Sequence, residues 1–415
     1  MISRHHLKCP GCEQVFVARL GVEPTRGTRF YLPCPLCRLP IHGSMSNQIT
    51  IDAEMLSGQD AELDGVPVVT INPFVPSLYE ADSFAPTGAF PTMTLVQILG
   101  DDTFLEFKSA RDQALDDGRD LWPPVRMLFQ YYLQGNAEMF TRTAKKLFEL
   151  KQEPSTSHQR TSIAYQALAI ATTRIMGSTG TRGRQAFSLF ATKHTAAIDR
   201  TMEHLRVFRE RGQTSADLER DLFTELDRFV QQHESWEMGL LGRFVDEEKK
   251  AAFEELVLFR DEFSTVSGLY QQGFELACKC LWLLVAAQNT VERGSPDDFG
   301  DVHPEITIVP VNKRPTTLKK FDGLSNAQKI AYVAQVPGWE SFAVLLNNRR
   351  RNAIGHATAH HDLQTGRVVS DKDPAGMTYL EFLGETFGVF EALSTLAQAL
   401  RTSRVAASPD FGLPE

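Results

Sequence analysis

No segment of this sequence offers a membrane span. The longest apolar run, LACKCLWLLVAAQ at 276–288, carries Lys279 and falls short of the roughly 20 apolar residues a bilayer requires, so it reads as a buried helix. The N-terminus lacks the basic start, apolar stretch and small-residue cleavage site of a secretion signal, and a cytoplasmic location is expected. Excess positive charge is missing too. The formal net charge of −9 argues against a general polyanion binder while leaving room for a local basic patch. Cysteine is scarce, six in 415 residues, and four of the six form two Cys-x-x-Cys units. That usage points to metal binding in a reducing compartment and away from a disulfide framework. There is no internal repeat and no low-complexity segment. With 42% hydrophobic and 23% charged residues, the composition is that of a globular chain with room for two or three domains.

The cysteine units stand in KCPGCEQVFVARL and RFYLPCPLCRLPIHG, each on a tight turn flanked by short β-rich runs. Two such knuckles bring four thiolates around one tetrahedral ion. Cys9, Cys12, Cys34 and Cys37 are therefore read as ligands of a structural Zn²⁺ in a zinc ribbon over 1–45. His5, His6 and His42 lie nearby, but four thiolates already fill the shell, and these read as surface histidines. A closed four-cysteine site folds the chain and does no chemistry.

The fold class expected is mainly α, with the small β-rich ribbon in front. Residues 46–91 are rich in proline, glycine and aspartate and read as a linker with one or two short strands. Apolar residues three and four apart then predict helices through 92–254, a region of unassigned role, and through 255–403, with 404–415 as a tail. The breakers are EPSTS at 153–157 and GSTGTRG at 177–183. The second lacks the Gly-Lys-Ser/Thr ending of a phosphate loop and reads as a helix–helix connection. Cys278 and Cys280 lie inside a helical stripe and read as small apolar core residues.

One stretch carries chemistry: RRRNAIGHATAHHD at 349–362. WESFAVLLNNRRRNAIGH reads as one helix that loosens at Gly355. HHDLQTGRVVS follows as strands around a Gln-Thr-Gly turn, and TYLEFLGETFGVFEAL re-enters a helix behind a Thr378/Glu381 capping box. Arginine supplies a fixed charge and a donor fork for phosphate, and histidine titrates near neutrality. Together they suit attack of an RNA 2′-hydroxyl on its neighbouring phosphodiester. The bland readings are a solvated arginine-rich helix end and a histidine cluster that caps a helix or binds metal; no carboxylate-rich stretch accompanies HATAHH as a metal partner.

RNAIGH resembles the Arg-polar-x-x-x-His signature of the HEPN superfamily. The helical region before it and the hairpin (Asp362, Thr365-Gly366) and amphipathic helix (TYLEFL) after it extend the likeness over about 255–403. The resemblance implies a HEPN-like helical bundle and a metal-independent endoribonuclease that dimerises to form a composite active site. It makes Arg351 and His356 the catalytic pair and Asn352 the polar residue that orients it. Arg349 and Arg350 match no catalytic position and are candidates for RNA phosphate contacts. Some family toxins carry a tyrosine two places after the histidine; Thr358 stands there in this chain. The expected partners are a homodimer mate, an RNA substrate (tRNA or another cellular RNA), and a regulatory protein or phage trigger, in a toxin or antiviral role. The alternatives are a non-catalytic dimerisation or sensor scaffold with the ribbon as its partner-binding module, and a ribbon-led DNA-binding regulator, which the acidic balance disfavours.

Overall fold

The computed structural model describes residues 2–23, 27–56, 65–78, 91–150, 152–177, 215–300, 309–311, 314–336, 338–355, 358–371 and 373–406. The chain is mostly helical behind a β-rich N-terminal region. The strands of that region are β1 (Ile2–Lys8), β2 (Val15–Gly21), β3 (Thr28–Pro33), β4 (Pro40–Met45), β5 (Ile49–Ile51), β6 (Glu54–Met55), β7 (Val68–Ile71) and β8 (Ser77–Leu78). Then come α1 (Pro91–Leu99), α2 (Asp101–Asp116), α3 (Trp122–Leu133), α4 (Ala137–Phe148), α5 (Ser157–Ile175) and α6 (Ser215–Gln231). The remaining major elements are β9 (Leu256–Val257), α7 (Phe263–Cys280), α8 (Trp282–Arg293), α9 (Asn326–Ala334), α10 (Asn348–Gly355), β10 (Ala359–Asp362), β11 (Arg367–Ser370), β12 (Asp373–Thr378) and α11 (Tyr379–Ala406). Among the described residues, no helix is long and apolar enough to cross a membrane. The helix expected over RQAFSLFATKHTAAIDRTMEHLRVFRERG and the turn at 178–183 lie outside the described residues.

Two compact units are present, one of Met1–Arg111, Glu234–Gly268 and Asn352–Phe387, the other of Asp112–His233, Leu269–Arg351 and Gly388–Glu415.

In the first unit, period-two alternation sets the sheets. Phe16, Ala18 and Leu20 of β2 are buried while Val15, Val17 and Arg19 face outward. A four-stranded sheet runs β6-β1-β2-β7, with β7 parallel to β2. A second sheet runs β3-β4-β5, and Gly43 of β4 lies so close under the Phe30 ring that a side chain there would collide with it. The proline-rich 46–91 stretch thus supplies β5 to β8. Those strands are two to four residues long, too short for a period to register in the sequence. The core joins Leu7, Phe16, Phe30, Leu32, Val69, Ile71 and Phe74 to Val257 and Phe259. Arg260, beside them, is 1% exposed, and its guanidinium donates to the Pro73 and Glu234 carbonyls at 2.9 and 2.7 Å and to Glu237 at 3.1 Å. Burial of so large a cation is tolerated because its donors find acceptors.

In the second unit, Phe129, Tyr132, Tyr165 and Phe223 form an aromatic cluster, with Phe129 and Phe223 stacked at 4.6 Å. Asn136 caps α4 and a Thr156/Gln159 capping box starts α5. Between α2 and α3 the helix widens to a π-turn over Asp117–Leu121, just ahead of Pro123 and Pro124, which have no N–H to donate backward. Most of the apolar run at 276–288 is buried as expected, with Lys279 exposed and the helix interrupted at Leu281; Leu281 to Ala286 are all 2% exposed or less. Cys278 and Cys280 are core residues, and burial pushes both thiols up, Cys280 to about 12.

Candidate functional site

Two places concentrate chemistry. The first is the four-cysteine cluster. The two knuckles share one backbone pattern: the Cys9 carbonyl accepts from Glu13 N–H and the Cys34 carbonyl from Arg38 N–H, both at 3.0 Å. Cys9 N–H bonds Gln14 and Cys34 N–H bonds Leu39, both at 2.9 Å. Glu13 and Arg38 each adopt a left-handed φ, 61° and 63°, which turns the chain out of the knuckle. The four sulfurs consequently lie within 4.8 Å of one another. Cys9 Sγ is 3.7 Å from Cys37 Sγ, and Cys12 Sγ is 3.6 Å from Cys34 Sγ. A tetrahedron of roughly 2.3 Å Zn–S bonds has edges of about 3.8 Å, so the arrangement is compatible with a structural zinc site.

Their protonation is uneven. Burial raises the Cys9 thiol, but the N–H groups of Cys12 and Gly11 outweigh it and bring it down to about 7. Burial sends Cys34 up to about 12. A bound dication would offset half the charge of four thiolates and so favour their deprotonation together. The histidines take other partners: His5 bonds Ser3 Oγ at 2.8 Å and His42 bonds Asp261 at 2.9 Å.

The second place is α10. One continuous helix through 339–356 was expected; instead a single turn at Glu340–Ala343 ends, and α10 begins anew at Asn348. Asn347 makes the break. Its side chain accepts from Arg350 N–H and its carbonyl from Arg351 N–H, both at 3.1 Å, and Tyr270 Oη donates to the same carbonyl at 2.9 Å. Arg349, Arg350 and Arg351 therefore occupy the first turn of an eight-residue helix, and not the C-terminal end that a solvated cation prefers. At a helix N-terminus the dipole opposes cations, so the cluster calls for counter-charge. Glu275 of α7 supplies part of it by ion-pairing with Arg351, and its other oxygen accepts from Asn326 at 3.1 Å. Nothing in the sequence spacing links Glu275 to Arg351; the pairing exists only through the packing of their helices. Asn352 continues α10, and His356 lies outside the described residues.

Past α10, Thr358 turns back so that its N–H and hydroxyl both donate to the Ala353 carbonyl, at 3.1 and 2.9 Å. The hairpin forms as expected, β10 pairing antiparallel with β11. Asp362 is a turn residue: it accepts from Gln364 N–H at 2.9 Å and Thr365 Oγ1 at 2.7 Å, with Gly366 at φ 69°. His360 is exposed; His361 packs among rings, stacked on Tyr379 at 4.6 Å and edge-on to Tyr31 at 5.8 Å. The Thr378/Glu381 capping box that starts α11 is complete. Among the described residues, the four cysteines are the one cluster of ligand side chains close enough for a metal. Comparison with family models, with curated proteins and with solved structures found no match for this chain.

Proposed function

We propose that this chain is a metal-independent endoribonuclease of HEPN type. Arg351 and His356 are the catalytic pair, oriented by Asn352, and Arg349 and Arg350 hold RNA phosphates. In this reading two copies combine their RNAIGH segments into one composite site. The RNA 2′-hydroxyl attacks the adjacent phosphorus and the bond to the 5′-oxygen breaks. One fragment leaves with a 2′,3′-cyclic phosphate and the other with a 5′-hydroxyl. Histidine handles the moving proton, and arginine stabilises charge on the pentacoordinate phosphorus. DNA, without the 2′-hydroxyl, is inert.

The observation that carries this reading is the position of three consecutive arginines on the first turn of α10, where dipole and side chains add to one positive field. The four cysteines hold Zn²⁺ in a ribbon that folds the N-terminal region, and catalysis uses no metal. The substrate is tRNA or another cellular RNA in the cytoplasm. A toxin or antiviral role with a protein or phage trigger accounts for why a general RNase would be held off.

The ion pair between Arg351 and Glu275 favours a second reading, a non-catalytic scaffold that uses the helical domain to dimerise, because it commits the key guanidinium to a carboxylate. The test is incubation with total RNA and tRNA in EDTA, with and without extract from phage-infected cells, beside Arg351→Ala and His356→Ala. Cleavage with cyclic-phosphate ends that both substitutions abolish establishes the enzyme. Intact RNA under every condition, from a folded protein, leaves the scaffold.

A further inference from the structure

The outer face of the β6-β1-β2-β7 sheet holds a feature that neither the cysteine cluster nor α10 uses. In the β1–β2 register Arg4 stands directly opposite Arg19, and Arg19 in turn pairs with Thr70 on β7. Directly opposed residues share a face, so two guanidinium groups and a hydroxyl line up in one row. Like charges in this position destabilise an antiparallel pair unless something lies between them. Among the described residues neither arginine has a hydrogen-bond or ion-pair partner, and Arg19 Nε is shielded from solvent as well. The contrast with Lys8, further along the same face, is informative: Glu13 and Glu54 both stand 3.9 Å from its ammonium. In a chain of net charge −9, acids were available for this row and are absent from it.

The neighbouring row is of another kind. His6 pairs with Val17, and Val17 with Val68, all half-buried. A row of phosphate donors thus runs beside a row offering a flat ring and two apolar side chains. That alternation fits a nucleic-acid strand, whose phosphates and bases diverge from one backbone, and suits an acidic peptide poorly.

We infer that this sheet face binds single-stranded RNA, with Arg4 and Arg19 clasping a backbone phosphate and the His6–Val17–Val68 row receiving the adjoining base. The choice of RNA over DNA rests on the ribonuclease reading; the phosphate clasp does not. The site lies on the four-cysteine region, so it would capture substrate independently of Arg351.

The test is fluorescence anisotropy of the full-length protein with a short 2′-O-methyl RNA, which cannot be cleaved, over a salt series. Arg4→Gln with Arg19→Gln should weaken binding at least ~10-fold at low salt. It should also reduce the slope of log affinity against log salt by about 1.4, the value for two contacts to a single strand. The melting temperature should stay level or rise, since facing like charges are removed. Arg351→Ala should abolish cleavage of unmodified RNA while keeping the part of the salt slope that Arg4 and Arg19 supply, so loss of cleavage and loss of the clasp are separate outcomes. Equal affinity and slope in the double variant would overturn the inference. So would competition by polyglutamate as effective as that by RNA, which would mark the row as a protein-docking site.

Discussion

The Arg351 guanidinium is ion-paired with Glu275, a residue of another helix that shares no motif with it. Arg351 is 25% exposed and Glu275 42%, so the pair is accessible and contributes under about 1 kcal/mol to stability. On the ribonuclease reading proposed above, Glu275→Gln should free the guanidinium for phosphate and raise kcat/KM for RNA cleavage several-fold, with a melting temperature within a few degrees of wild type. A variant that cleaves more slowly would instead make Glu275 a residue that positions Arg351.

Removing one thiol should undo the N-terminal fold. Cys9→Ser or Cys34→Ser is expected to drop bound zinc, read by elemental analysis, from one ion per chain towards none. The loss in stability is on the order of 4 kcal/mol where free zinc exceeds its dissociation constant a thousandfold. Cys278→Ser, in the second unit, should leave zinc content unchanged.

Glu237 is 1% exposed and accepts from two buried cations, Arg111 at 3.0 Å and Arg260 at 3.1 Å. Glu237→Ala removes the carboxylate that both guanidiniums share, leaving Arg111 only Glu23 at 3.3 Å and Arg260 only Glu262 at 3.9 Å, and should cost up to about 3 kcal/mol, measured by urea unfolding. Glu237→Gln, which keeps an acceptor, should cost less.

His361 makes stability depend on pH. Burial pushes its pKa from 6.5 down to about 4, with Asp261, the Gly366 backbone and Asp362 pulling the other way. The unfolded chain therefore takes up this proton near pH 6.5 and the folded chain only near pH 4. Stability from the neutral ring is complete above the first value and falls as the pH drops between them. Below the second the loss levels off at about 3 kcal/mol. His361→Phe should flatten that part of the urea-unfolding profile; an unchanged slope would mean the ring takes up its proton in the folded protein near pH 6.5.

The parts legible from sequence are those governed by neighbours along the chain. Cys-x-x-Cys spacing makes each knuckle, and the backbone bonds that shape it close within five residues, from Cys9 to Gln14 and from Cys34 to Leu39. Capping boxes such as Thr378/Glu381 and the Asp362–Gly366 turn are local for the same reason. The break at Asn347 was hidden because apolar residues at helical spacing, Phe342, Leu345 and Leu346, run straight up to it. Their period records burial, and a capping side chain wins locally over it.

Sequence by itself determined which residues can bind metal, where the last helix starts, and that three arginines travel together. Only tertiary structure decided what those groups meet. It gathered four sulfurs from two separate turns, set Glu275 against Arg351, buried Arg260 among carbonyls, and laid Arg4 opposite Arg19. Each of those meetings joins residues distant in the chain. A side chain's local propensity carries no information about a partner that arrives only when elements pack.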